Sequence, residues 1–117
     1  MEFTTLKQAG QLDEIDRLSN SKLQVLFKHS TRCSISMMAK RVLSREMEQA
    51  DEAMLDVYFL DLLLHRNLSN ANAGRYQVEH ESPQLLVIKE GKCVYVAAHG
   101  DVSLDRALQA LAAKGKE

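Results

Sequence analysis

Apolar positions along the chain follow two rhythms that replace each other several times: compact apolar runs that suit buried strands, and spacings near 3.6 that suit one face of a helix. Phe3 to Lys7 reads as a short first strand, and Gln11 to Leu18 places Leu12, Ile15 and Leu18 at helical spacing. Leu23 to Lys28 (LQVLFK) is a compact apolar strand that stops at the polar loop His29-Ser30-Thr31-Arg32. After Cys33 the rhythm changes. Ile35, Met38, Ala39, Val42 and Leu43 fall at i, i+3, i+4, i+7 and i+8, which predicts a helix burying that face. Cys33 therefore stands where a strand hands over to a helix.

The second half continues the alternation. Asp56 to Asp61 reads as a strand, and Ser69 as the cap of a helix running to about Tyr76, weakened by Gly74. His80-Glu81-Ser82-Pro83 is a break. Gln84 to Lys89 and Cys93 to Ala98 flank the tight-turn pair Glu90-Gly91 and predict a β-hairpin. Ser103 is a good N-cap for a last helix with the stripe Leu104, Ala107, Leu108, Leu111 and Ala112, ended by Lys114 and Gly115. The order (β)αβαβα followed by ββα predicts an α/β fold. Its parallel start needs crossover connections, its end is an antiparallel pair, and helices flank a mixed central sheet.

Composition narrows the possible functions. A chain of 117 residues is expected to form one domain, 1–117, and its 45% apolar and 26% charged content excludes a disordered or fibrous chain. Residues 1–60 carry 8 basic and 9 acidic groups and the remainder 7 and 7, so neither half is a basic arm or an acidic tail. Nucleic-acid and membrane-surface partners are therefore not expected. The start MEFTTLKQAG lacks the pattern of a signal peptide, and the longest nearly apolar run, Val57 to Leu64, is broken by Asp61. Two cysteines 60 residues apart make no secreted disulfide framework, so a reducing, cytoplasmic setting is expected.

The candidate reagent is Cys33. The first N–H groups of a helix have no intrahelical partners and carry the positive end of its dipole, so they favour a thiolate placed there. Arg32 adds a cation next door, and Ser36 is placed to offer its hydroxyl to the same sulfur. The plain alternative is a small buried residue. A dithiol oxidoreductase needs Cys-x-x-Cys, whereas this segment is Cys33-Ser34-Ile35-Ser36. A mixed disulfide on Cys33 would then be released by a thiol from solution or from a partner. Cys93, in the hairpin, reads as packing rather than as a resolving thiol.

Other features have plainer readings. Pro83 is a loop residue or, if its peptide is cis, a turn that leaves the Ser82 backbone free to pair with an incoming chain. His29 and His80 flank the site in sequence, but no spacing of ligand residues supports a metal. Met38 and Met47 read as helix core or edge, and Glu46, Glu48, Asp51 and Glu52 as a solvated helix end and loop. The chain has no nucleophile elbow and no phosphate-binding glycine loop.

The strings Phe27-Lys28-His29-Ser30-Thr31-Arg32-Cys33-Ser34-Ile35-Ser36 and Glu81-Ser82-Pro83-Gln84, with Gly91 in the hairpin turn, resemble the YtxJ family, the monothiol bacilliredoxins of the bacillithiol system. His65-Arg66-Asn67-Leu68-Ser69-Asn70 adds to the likeness, which spans essentially the whole chain. The resemblance implies a thioredoxin-like fold, a nucleophilic Cys33, a serine at 36 where dithiol relatives have the resolving cysteine, and a cis Ser82–Pro83 peptide. It also implies bacillithiol or another low-molecular-weight thiol as co-substrate, with no tightly bound cofactor. The expected partners are client proteins carrying mixed disulfides and a recycling reductase or small thiol, for a monomer or weak dimer. Arg32 and Ser36 are expected to steady the thiolate, and Thr31, Ser34, Ser82 and Pro83 to dock the substrate. Ser34 departs from the family pattern, which usually has proline directly after the cysteine. Two other classes compete with this reading. One is a thioredoxin-like binding module lending Cys33, with an external thiol, to a [2Fe-2S] cluster, which one thiolate per chain would force to be dimeric. The other is a redox-inert scaffold.

Overall fold

The computed structural model describes residues 2–30 and 32–114. In chain order the elements are β1 (Thr4–Thr5), α1 (Gly10–Leu18), β2 (Leu23–His29), α2 (Ser34–Gln49), β3 (Leu55–Asp61), α3 (Arg66–Tyr76), β4 (Gln84–Lys89), β5 (Lys92–Ala98) and α4 (Leu104–Lys114). The strands form one sheet in the order β1-β3-β2-β4-β5. β1, β3 and β2 run parallel, while β4 is antiparallel to both β2 and β5.

Connection handedness explains the layering. The chain crosses from β1 to β2 in one direction and returns to β3 in the other, so two right-handed crossovers place α1 and α2 on opposite faces. Side-chain alternation then sorts the core. Val25, Phe27, Val57, Leu85 and Val87 pack with Ala39, Leu43 and Met47 of α2 and Leu104 and Ala107 of α4. Leu26, Tyr58, Leu60, Leu86 and Ile88 pack on the other face with Leu12 and Ile15 of α1 and Leu68 and Tyr76 of α3. The hairpin turn has positive φ at Glu90 (53°) and Gly91 (73°), the geometry of a two-residue primed turn that glycine favours. The C-terminal end of α1 holds this turn, because the Ser19 carbonyl and hydroxyl accept the N–H groups of Glu90 (3.0 Å) and Gly91 (2.9 Å).

Several expectations shift. β1 is two residues rather than the span Phe3 to Lys7, and Gly115, expected to end the last helix, lies outside the described residues. α2 buries Ser36, Ala39, Leu43 and Met47, whereas Ile35 (50% exposed), Met38 (65%) and Val42 (42%) face outward. The face is turned by about one residue because Ser36 is drawn inward by buried polar partners at the end of β2. α3 begins at Arg66, so Ser69 is an interior, buried residue rather than a cap. Asp61 produces the earlier start: its carboxylate accepts the Leu63 N–H (2.9 Å) and its carbonyl the His65 N–H (2.9 Å), bending the chain sharply into the helix. Glu46 is not a solvated helix end. Its carboxylate accepts the Ser103 hydroxyl (2.6 Å) and the N–H groups of Leu104 (2.7 Å) and Asp105 (2.9 Å), so α2 caps α4 across the core.

Candidate active site

β2 leaves the sheet at His29, and α2 starts five residues later with Cys33 as its N-cap. Cys33 is extended (φ −110°, ψ 120°). Its N–H donates to the Ser30 carbonyl (3.2 Å), and its carbonyl accepts the Met37 N–H (3.0 Å), closing the first turn. The half-buried thiol thus belongs to the residue at the positive end of a 16-residue helix. Ser34 is the exposed first residue of α2, and the exposed Arg32 donates its N–H to Ser30 Oγ (3.4 Å). Thr31 lies outside the described residues.

Ser36 is fully buried, and its contacts differ from the expected one with sulfur. Its Oγ lies 2.6 Å from His29 Nδ1 and accepts the Ser30 N–H at 3.0 Å. The hydroxyl therefore fastens the base of the loop that carries Cys33. His29 is itself buried between the rings of Phe27 and Phe59, with centroids at 5.6 and 5.2 Å. Burial and the Lys40 cation push its pKa below the ordinary histidine value, which favours a neutral ring.

The chain before β4 closes the other side. The Ser82–Pro83 peptide is cis, and the buried Pro83 presents its carbonyl to the His99 N–H (2.9 Å). Between this segment and the Cys33 loop lies a cavity of about 330 Å³. Ser30, Cys33 and Ser82 line it together with Leu62, Arg66, Ser69 and His80. The tertiary structure thus unites Cys33 with Ser82, while Ser34 and Arg32 stay at the outer rim of the loop.

The chain matches the family described as monothiol bacilliredoxin BrxC over residues 4–107. It belongs to the monothiol bacilliredoxin family. Solved structures agree on the architecture. A chain provisionally described as an oxidoreductase with a thioredoxin fold superposes with a TM-score of 0.80 at 29% identity, covering 92% of this chain and 91% of the other. The thioredoxin of Malassezia sympodialis gives 0.74 at 14% identity, over 97% and 90%. That of Schistosoma mansoni gives 0.68 at 21%, over 97% and 98%. This member of the family therefore has the thioredoxin fold.

The second cysteine of the chain is remote from the first. Cys93 pairs in register with Ile88, and Ile88 with Gln24, at the end of β2 opposite His29. Five residues of strand are roughly 17 Å, whereas a disulfide needs Cα atoms within about 7 Å. The half-buried Cys93 thiol donates to the Tyr95 carbonyl (3.4 Å), and burial raises its pKa. It packs against the core on the face of α1 and α3.

Residues that sequence reasoning did not place at the site come from α3. Ser69 Oγ lies 3.1 Å from His80 Nδ1, and the Ser69 carbonyl accepts from the buried Lys28 Nζ at 3.5 Å. Burial lowers the Lys28 pKa to about 8, with Cys93 opposing the shift. Burial, Lys28 and Arg66 together lower that of His80. Asn72 is buried with neither amide atom hydrogen-bonded to a described residue, and Gln84 Oε1 is likewise unpartnered. A signal existed in the sequence: Ser69 and Asn72 share the spacing of Leu68 and Tyr76, putting polar groups on the inward stripe of a helix.

Proposed function

We propose that this protein is a monothiol thiol–disulfide oxidoreductase that removes bacillithiol, or a similar low-molecular-weight thiol, from the mixed disulfides of cytoplasmic client proteins. One observation carries the reading. Cys33 caps α2 at the edge of a cavity of about 330 Å³, at the small end of the ligand-pocket range, with Ser36 in the place of the second cysteine of a Cys-x-x-Cys motif and Cys93 at the far end of the sheet. A thiol so placed has room for a small cap and no internal thiol in reach.

In the proposed cycle the Cys33 thiolate attacks the cap's sulfur in client–S–S–R. A new S–S bond joins Cys33 to the cap, the S–S bond of client–S–S–R breaks, and the departing client thiolate takes up a proton. A second R–S⁻ then attacks the cap's sulfur, releasing R–S–S–R and the Cys33 thiolate. The net reaction is client–S–S–R plus RSH giving client–SH plus R–S–S–R, and a partner reductase reduces the product. Each 30 mV of potential difference is worth about 1.4 kcal/mol in its direction.

Cys33 reacts from the N-terminus of α2, with Arg32 next to it in the chain. Ser36 acts through position, tying the loop to His29. Thr31, Ser34, Ser82 and Pro83 dock the substrate, and one Cys33 suffices per turnover in a monomer or weak dimer. Supporting this, the Ser82 N–H and C=O have no hydrogen-bond partner among the described residues, which leaves them for an extended chain. Intact mass after incubation with bacillithiol disulfide or glutathione disulfide tests the reading. A single adduct on the wild type that is absent from Cys33→Ala is expected, and no adduct with either disulfide would overturn it.

A further inference from the structure

The cavity beside Cys33 is electrically one-sided. Ser30, Ser69, Asn70, Ser82 and His80 supply its polar lining, Arg66 supplies its formal charge, and no carboxylate lines it. Arg66 is exposed and forms no ion pair or side-chain hydrogen bond with a described residue. Arg17, Arg75 and Arg106 are paired with carboxylates, whereas Arg32, Arg41, Arg45 and Arg66 have no carboxylate partner among the described residues, and of these four Arg66 lines the cavity. Arg66 is also the first residue of α3, so the positive end of that helix lies on the same side. Lys28 sits behind Ser69, adding a second cation at the inner wall. The field of Arg66 and Lys28 reaches the cavity's interior, since both disfavour protonation of His80.

Such a lining does not suit a neutral or cationic cap. A guanidinium with no internal carboxylate partner, at the side of a cavity that also holds the reactive sulfur, is matched by a carboxylate on the same small molecule as the disulfide. We propose that Arg66 is a specificity-determining residue of the Cys33 site, binding a carboxylate of the small thiol while its sulfur is in line with Cys33. This inference rests on the proposed function and adds to it the residue that recognises the cap's carboxylate. Arg66 holds the cap through its carboxylate and takes no part in bond exchange. Its loss therefore slows capture of anionic caps without altering the sulfur chemistry.

The test uses three disulfides: glutathione disulfide, 3,3′-dithiodipropionate and the neutral 2-hydroxyethyl disulfide. Rates of adduct formation on Cys33 are followed by intact mass in wild type, Arg66→Gln, Arg66→Lys and Arg41→Gln, the last an equal loss of charge outside the cavity lining. Arg66→Gln is expected to slow the two carboxylate-bearing disulfides about tenfold, the loss of one charge-assisted hydrogen bond, and to leave the neutral one within about twofold. Arg66→Lys is expected to fall between, and Arg41→Gln to show no such discrimination. Equal slowing of all three disulfides by Arg66→Gln, no slowing, or the same discrimination in Arg41→Gln would each overturn the proposal while Cys33 remains reactive. A wild type that reacts with none of the three would instead refute the proposed function, and this inference with it.

Discussion

Under α2 and α4 the sheet meets a wall of apolar side chains, Val25, Phe27, Ala39, Leu43, Leu85 and Val87, interrupted toward Cys33 by the paired His29 and Ser36. Under α1 and α3 it starts the same way at Leu12, Ile15, Leu26 and Ile88 but turns polar toward the Cys33 end, where Lys28, Ser69, Asn72 and Gln84 are buried. Buried polar atoms stabilise only when paired, and several of these have few partners or none among the described residues. The first face holds the fold together. The second gives up part of its stability at the end where the cavity opens, which is how polar and charged groups come to lie beside a reactive sulfur.

Four substitutions test this contrast. Leu43→Ala, on the apolar face, is expected to lower stability by about 2–5 kcal/mol in urea unfolding. A near-wild-type midpoint would show that this face is not the continuous core described. Lys28→Met, on the polar face, should act in the opposite direction and raise stability at pH 7 by about 1–3 kcal/mol, because it removes a buried cation with one distant partner.

The pH dependence of the Lys28 effect has a definite sign. Its pKa is about 8 in the folded protein against an ordinary 10.5. Below pH 8 both folded and unfolded chains are protonated there and the cost is constant. Between pH 8 and 10.5 the unfolded chain binds more protons, so wild-type stability gains with rising pH. The advantage of Lys28→Met should therefore shrink across that window, and a difference that stays flat from pH 7 to 10 would contradict the buried-cation account.

Ser36→Ala leaves the Ser30 N–H and His29 Nδ1 without their shared partner, and about 1–2 kcal/mol of stability should be lost in thermal unfolding. No change would mean that the hydroxyl does not anchor the Cys33 loop. The smallest effect is expected from Cys93→Ser, less than about 1 kcal/mol, since a serine hydroxyl can donate to the same Tyr95 carbonyl. Turnover should be unaffected. Loss of turnover in a folded Cys93→Ser protein would rule out the single-thiol cycle.

Much of the architecture was legible because it rests on local pattern. The runs Leu23 to Lys28 and Gln84 to Lys89 are short and bounded by turn or polar residues, which marks them as buried strands, and Glu90-Gly91 forms the turn those residue types favour. Cys33 at a strand-to-helix junction was equally readable, because periodicity changes at that residue. Helix orientation was harder. α2 carries two adjacent apolar stripes, and periodicity does not say which one a buried Ser36 will select. α3 has polar residues on its inward face, so the capping pattern puts its start four residues late and does not connect Arg66 with Cys33.

By itself, the sequence determined the order of strands and helices, the helix-end position of Cys33, and the serine that takes the resolving cysteine's place. These are properties of neighbouring residues, set by periodicity, capping and turn chemistry over a few positions. The tertiary structure decided what faces the sulfur. Arg66, Ser69, His80 and Ser82 reach the cavity only because parallel crossovers and an antiparallel strand bring distant segments to one end of the sheet. The same topology carries Cys93 to the opposite end. Which side chains share a cavity is a property of strand order and register, and the local pattern along the chain does not contain it.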